Sequence, residues 1–256
     1  MVRTEVFNNG SIKLYHGSCE EVIPTLKLKP KNIDVGMIDP PYNIGYKYNT
    51  YKDNLSWKDY YAGQIRILMA IRKILKPKGS VLYLNYPEQA ATIYGKVKGR
   101  YHSVQWITWI YHQHTGGKPL RKGTRTWLWL SKGKDGYYVG EEALMGEYRN
   151  PTDKRIAKNM AAGMRPTDYD WWMYEQVKNV SKEKTEHPCQ LPLELVQRLL
   201  LAACPPGGTA IDPYMGSATT AEACINTDRG FIGIESDEKY FDICVQRVQN
   251  ALTKKV

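Results

Sequence analysis

"TAIDPYMGSATTAEACINTDRGFIGIE", residues 209–235, is the stretch whose reading decides the fold. A short apolar run at 209–211 leads to Asp212 and a tight turn through Gly216, with Ser217, Thr219 and Thr220 opening a helix to about residue 225. A second apolar run, 231–234, ends in Glu235. Strand, glycine turn, helix, strand and acid in that order suit a nucleoside-type ligand. Backbone donors and small hydroxyls at the turn hold an anionic group. An acid at the end of the next strand, about twenty residues on, accepts from ribose hydroxyls. The plainer alternative is an ordinary turn with a solvated Glu235.

Outward from this unit, Pro192 opens a helix with Leu193, Leu195, Val196, Leu199 and Leu200 on one face, stopped by Cys204-Pro205-Pro206-Gly207-Gly208. A helix over 238–252 follows it. From residue 11 to about 110, short apolar strands (12–15, 34–38, 80–84 and 104–109) alternate with amphipathic stretches at 57–75 and 87–98. Lys76-Pro77-Lys78-Gly79 reads as the stop of the first of these helices. The pattern predicts an α/β, doubly wound, mostly parallel sheet covered by helices. Residues 112–186 differ in texture, being rich in Gly, Lys, Arg and aromatics, with one strand at 125–130 and a second at 137–139. They do not read as a continuation of the sheet. No internal repeat or low-complexity segment interrupts the chain.

A second strand end, "IDPPYN" at residues 38–43, is also chemical in character. The tetrapeptide Asp-Pro-Pro-Tyr arises by chance in roughly one chain per thousand of this length. A strand delivers Asp39 to the sheet edge. Pro40 and Pro41 then fix φ and contribute no N–H, so the turn offers acceptors only. Acceptors suit a substrate that presents an amino group, and Tyr42 offers a flat face to a planar ring. A loop stiffened by prolines over a packed tyrosine is the structural alternative.

Composition sets the partners. The formal net charge is +10, and residues 112–166 hold 11 Lys or Arg against 5 Asp or Glu, so more than half of the excess lies there. Such a segment suits phosphates. The 5 cysteines are scattered, with no Cys-x-x-Cys pair, which indicates reduced thiols and neither a disulfide frame nor a zinc site. No run of about 18 apolar residues predicts a membrane span, and a cytoplasmic protein is the expectation. His112 and His114 have metal-compatible spacing but no evident third ligand, so no metal is expected. Trp171 and Trp172 read as packing residues.

Taken together, these motifs resemble those of the S-adenosylmethionine-dependent DNA amino-methyltransferases, which modify adenine N6 or cytosine N4. "DPPY" at 39–42 is similar to their catalytic motif, "HPCQLP" at 187–192 to their His-Pro-x-Gln-x-Pro segment, and "DPYMGSATT" at 212–220 to their cofactor motif. "GIESDEKYFDIC" at 233–244 is similar to the segment that follows it. Catalytic motif first and cofactor motif last is the order of the family's β class. Ala218 stands where the family has glycine, Tyr214 where Phe is common, and Ser18 where an acid often meets the cofactor adenine. Cys189 and Leu191 replace Thr and Lys.

The resemblance implies a Rossmann-like methyltransferase fold in three parts: a catalytic half (1–111), a target-recognition region (112–186) and a cofactor half (187–256). It implies S-adenosylmethionine as cofactor, with Asp39, Pro40, Pro41 and Tyr42 catalytic. Asp39, Asp212, Tyr214, Gly216, Ser217, Thr219, Glu235, His187 and Gln190 would meet the cofactor. Lys118, Arg121, Lys122 and Arg125 would meet DNA, from which the target base is flipped out. Asp39 favours adenine N6, since cytosine-N4 enzymes more often carry Ser there, and cytosine N4 is the alternative. RNA and protein-glutamine methylation fit less well. The rival of another class is a catalytically inactive DNA-binding module, hinted at by Ala218. A homodimer and a cognate restriction endonuclease stay open.

Overall fold

The structure is a computed structural model describing residues 2–26, 32–112, 120–134, 136–150, 152–178, 181, 184–187 and 189–255. Its strands are β1 (Thr4–Phe7), β2 (Ile12–His16), β3 (Ile33–Ile38), β4 (Leu75–Asn85), β5 (Ser103–Ile110), β6 (Thr124–Ser131), β7 (Trp171–Met173), β8 (Thr209–Asp212) and β9 (Gly230–Glu235). They form one sheet in the order β1-β2-β9-β8-β3-β4-β6-β5-β7. The five central strands from β2 to β4 run parallel, and β1 and β6 pair antiparallel at either side of them.

Alternation along β4 shows why both faces are covered. Leu82 and Leu84 belong to one apolar cluster, while Val81 and Tyr83 belong to the other. A strand buried on both sides needs helices on both sides. The first cluster is roofed by α5 (Leu193–Ala203), α6 (Thr219–Asn226) and α7 (Glu238–Lys255). The second is roofed by α1 (Cys19–Thr25), α2 (Trp57–Ile74) and α3 (Pro87–Val97). In α2, Ser56 caps the first turn by accepting the Asp59 N–H at 3.2 Å, and Tyr60, Ile67, Leu68 and Ile71 form the buried stripe.

Several expectations need correction. The strand expected at 80–84 begins at Leu75, so Lys76-Pro77-Lys78-Gly79 is already sheet, with a register shift against β3 that absorbs the proline. At Gly79 a Cβ would sit 2.9 Å from the Asp34 carbonyl oxygen, which excludes any larger residue. The segment 112–186 does continue the sheet: β6 inserts between β4 and β5, and β7 adds to β5. Its Trp127 and Trp129 are buried in the interior, paired across β6 with β4 and β5. Residues 137–139 form no strand, although Tyr138 donates its N–H to the Lys78 carbonyl at 3.1 Å. Sequence periodicity did not signal β1, α1, β7 or the short α4 (Lys154–Ala161).

The central pairing brings together segments far apart in sequence, and Asp34 ties them. Its Oδ2 accepts the Thr209 N–H at 2.8 Å and meets Lys76 Nζ at 2.7 Å, joining β3, β4 and β8. Lys76 is partly solvated, so the backbone bond carries most of the stabilisation. Asp34→Ala should therefore lower stability by about 2 kcal/mol. A shift in the urea midpoint at unchanged slope measures this, and a change below about 0.5 kcal/mol contradicts it.

Candidate active site

Between β3 and β8 the chain changes direction across the sheet. The helix after β3 is α2, on one face, and the helix after β8 is α6, on the other. Such a switch point opens a crevice beyond the carboxyl ends of the strands. Asp39 follows β3, Asp212 ends β8 and Glu235 ends β9, on three neighbouring strands. A cavity of about 420 Å³ lies there, and all three acids line it.

Each carboxylate is held in a defined way. Asp39 Oδ1 accepts the Tyr42 hydroxyl at 2.6 Å, leaving Oδ2 to the cavity. Asp212 accepts the Tyr214 N–H at 3.0 Å on Oδ1 and the Thr220 hydroxyl at 2.6 Å on Oδ2. Glu235 accepts the Gly216 N–H at 2.9 Å and the Asp237 N–H at 2.8 Å, one on each oxygen. Burial is the largest influence on all three. It pushes Asp39 up to about 6, against the pull of Arg125 and the Tyr42 hydroxyl. It pushes Asp212 and Glu235 up to about 7, against their hydrogen bonds. Three recessed acids that share one crevice make it an environment for a ligand carrying positive charge and hydroxyl groups.

Most of the residues expected at the site from sequence are gathered around this cavity. Pro40, Pro41, Tyr42, Tyr214, Gly216, Ser217, Thr219 and His187 line it alongside the acids. Gly216 is required twice over: its φ is +57°, and a Cβ would lie 3.1 Å from the His187 ring. Burial, with Lys184 assisting, pushes His187 down to about 4, so it is neutral and its Nδ1 accepts the Cys189 N–H at 3.3 Å. Tyr214 finds a partner for its hydroxyl in the Cys19 thiol. Ser18 caps α1 through the Glu21 N–H and also lines the cavity. Ala218 adopts φ 60°, ψ 30°, a left-handed conformation that costs a non-glycine residue about 1 kcal/mol, and its methyl is fully buried.

Other expected residues lie elsewhere. Gln190 is not among the cavity-lining residues: its Oε1 accepts the Thr185 N–H at 2.9 Å and hydroxyl at 3.0 Å, bracing the preceding loop. Arg125 lines the cavity itself. Arg121 and Lys122 are exposed, with Lys122 Nζ 5.0 Å from the Tyr86 ring. Lys118 and His114 lie outside the described residues. His112 pairs with Glu175. Among the described residues no group of His, Cys, Asp or Glu is placed to hold a metal.

Two residues of consequence carried no sequence signal. Asp53 is buried and accepts the N–H groups of Asn43 at 2.7 Å, Ile44 at 3.0 Å and Tyr46 at 3.0 Å. It shapes the turn leaving Pro41, where Asn43 takes φ 59°. Arg247, on α7, reaches beneath the Gly216 turn. It donates to the Ser217 carbonyl at 2.9 Å and the Thr219 hydroxyl at 2.9 Å, and pairs with Glu222 at 2.6 Å. Nothing in a helix repeat distinguishes such an arginine from a solvated one.

Comparison with known proteins finds relatives in sequence and in fold. A family model described as DNA methylase matches residues 33–246. The chain is 28% identical over 239 residues to the type II methyltransferase M.HpaI of Haemophilus parainfluenzae, covering 91% of this chain and 73% of that one. It is 24% identical over 256 residues to the DNA adenine methyltransferase YhdJ of Escherichia coli, covering 96% and 85%. Among solved structures, a complex of M1.HpyAVI with S-adenosylmethionine superposes with TM-score 0.62 at 22% identity, covering 91% of this chain and 98% of that one. The cytosine-N4-specific PvuII DNA methyltransferase superposes with TM-score 0.69 at 13% identity, covering 94% and 91%.

Removing Arg247 leaves the mostly buried Glu222 without its ion partner and frees the Gly216 turn. Arg247→Met should cost about 3 kcal/mol in urea unfolding. A loss under about 1 kcal/mol contradicts its role in holding the turn.

Proposed function

The chain belongs to the DNA methylase family of N6 and N4 amino-methyltransferases, and we propose that it methylates the exocyclic N6 of adenine in double-stranded DNA. The observation that carries this reading is the arrival of Asp39, Asp212 and Glu235 in one cavity from three adjacent strands. The residues fit S-adenosylmethionine. Glu235 and Asp212 retain acceptor capacity for hydroxyl and ammonium groups beyond the hydrogen bonds they already make. The Gly216 turn and its hydroxyls border the same space. When bound, the cofactor supplies a methyl group on a sulfonium, whose positive charge also suits an acid-lined site.

Asp39 and the Pro40 carbonyl act on the other substrate. An exocyclic amino nitrogen is a weak nucleophile because its lone pair is delocalised into the ring. Two acceptors that take its N–H bonds favour a pyramidal nitrogen and stabilise the positive charge that develops on it. Asp39 Oδ2 is the oxygen available for this, since Tyr42 occupies Oδ1. The nitrogen bonds to the methyl carbon as the carbon–sulfur bond breaks to leave a neutral thioether, and the surplus proton then passes from the nitrogen to solvent water. Inside a duplex the amino group is stacked away, so the base enters the cavity extrahelically. Exposed Lys122 stands 5.0 Å from the ring of Tyr86 at the cavity wall, Arg121 beside it in sequence is exposed, and Lys154, Arg155 and Lys158 lie exposed on α4. We assign these to phosphate contact and residues 112–186 to target recognition.

Adenine is preferred on two grounds. Asp at position 39 follows the adenine pattern of the resemblance, and YhdJ, a relative over most of the chain, is named as a DNA adenine methyltransferase. The similarity in fold to the PvuII enzyme keeps cytosine N4 as the second reading.

Asp39→Ala should reduce methyl transfer at least a hundredfold while leaving cofactor binding within about threefold. Tritiated-methyl transfer followed by nucleoside chromatography checks this, with N6-methyladenine as the product. Turnover within tenfold of the unaltered protein sinks the role of Asp39. Cofactor binding should also depend on pH. Asp212 and Glu235 are protonated in part below about 7, and a cationic ligand favours their ionised forms. Binding at pH 6.5 should therefore release protons, and affinity should rise as pH increases from about 6 to 8. Calorimetry in buffers of different ionisation heat reads this, and proton uptake contradicts it.

A further inference from the structure

Arg125 has the placement least expected from sequence, and its role rests on Asp39 being the acceptor for the target amino group. On β6 it faces Trp109 in the register with β5. Its guanidinium carbon lies 5.0 Å from the Tyr42 ring centre, 5.3 Å from Trp109, and 5.6 Å from both Tyr86 and Tyr111. Its Nε is buried and has no hydrogen-bond partner among the described residues. A phosphate-binding arginine presents its donors to solvent; this one is boxed by four rings at the wall of the cavity. Tyr42 stands between it and the catalytic acid. The guanidinium covers the ring, and the ring hydroxyl donates to Asp39 Oδ1 at 2.6 Å.

We propose that Arg125 is a positioning residue for methyl transfer: acting across Tyr42, its fixed positive charge keeps Asp39 a carboxylate whose Oδ2 is free to accept from the target amino group. A protonated Asp39 would present a donor where an acceptor is needed, and the amino group would lose its anchor. The surroundings make this a real requirement. Tyr42 and Arg125 face Asp39 from the proline turn and from β6, Asp212 from the end of β8, Tyr48 from the loop after the turn, and Cys189 from the segment before α5. Burial favours the protonated acid. Burial holds Tyr48 and Cys189 neutral, so neither supplies a compensating charge. Among the described residues Arg125 is the cation that opposes burial at Asp39. Guanidinium suits the task because it stays charged when buried and stacks on aromatic faces. One face of Tyr42 is thereby taken, and an incoming base must stack on the other.

The test reads the protonation of Asp39 directly. Methyl transfer to DNA is measured between about pH 5 and 9 at saturating S-adenosylmethionine for the unaltered protein, Arg125→Lys and Arg125→Met. Carbon-13 NMR of labelled aspartate monitors the Asp39 carboxyl in the same proteins, assigned by its loss in Asp39→Asn. In Arg125→Met, the Asp39 titration and the acid limb of the rate should both move to higher pH by about one unit or more, with much of the rate recovered at the alkaline end. In Arg125→Lys both should stay within about half a unit. A rate lowered equally at every pH, or an unmoved Asp39 titration, overturns the proposal. If Arg125→Met does not fold, Arg125→Gln decides, because it removes the charge while keeping a polar side chain and must raise the Asp39 titration; an unmoved signal again overturns it. An unaltered protein that methylates no DNA, while its Asp39 still responds to Arg125→Met, overturns the functional reading and leaves this coupling standing.

Discussion

The parallel pairing of β3 with β8 is the contact on which the rest depends. Val35 lies opposite Ala210 and Gly36 opposite Ile211, joining segments some 175 residues apart. Without it, Asp39 and Asp212 would belong to separate ends of the chain. With it, two strand ends meet where the helices that follow them leave on opposite faces. Asp34 secures the join with one carboxylate, which takes a backbone N–H from β8 and an ammonium from β4. The crevice is a consequence of topology, and its chemistry is supplied by whichever residues end those strands.

Those residues are acids, and burying acids is unfavourable unless something compensates. Here the compensation is local and asymmetric. Asp212 and Glu235 are satisfied by the backbone and hydroxyl of the Gly216 turn, so the same bonds that support the carboxylates also shape the loop. Arg247 reinforces that loop from below. Among the described residues Asp39 has no backbone donor of this kind, because two prolines follow it and neither has an N–H. It relies on Tyr42 and, across it, on Arg125. The proline turn that frees acceptors for a substrate is therefore the reason the acid needs a cation nearby.

Much of this was legible in sequence, and the failures have physical causes. The strand–turn–helix unit at 209–235 was clear because its glycine, hydroxyls and acid are fixed by local backbone geometry. The Asp-Pro-Pro-Tyr turn was clear because proline leaves few alternatives. The place of Thr124–Ser131 in the sheet was not, since a strand records that it is apolar and not which neighbour it pairs with. The place of Arg125 is hidden for the same reason: a basic residue in a basic segment reads as surface, and only the pairing of β6 carries it to the cavity wall. Gln190 is marked in the sequence by motif position alone, and only the structure shows its amide bracing the preceding loop. Asp53 and Arg247 act through contacts over ten and thirty residues that no local pattern announces.

These observations meet in a single claim, that the cavity at the β3–β8 junction brings an amino group of DNA to a methyl donor. Methylation-sensitive sequencing of DNA from cells that express the protein tests it most directly. The expected result is N6-methyladenine confined to one sequence context and absent when Asp39→Ala is expressed instead. Unmodified DNA in cells holding folded, cofactor-binding protein would contradict it.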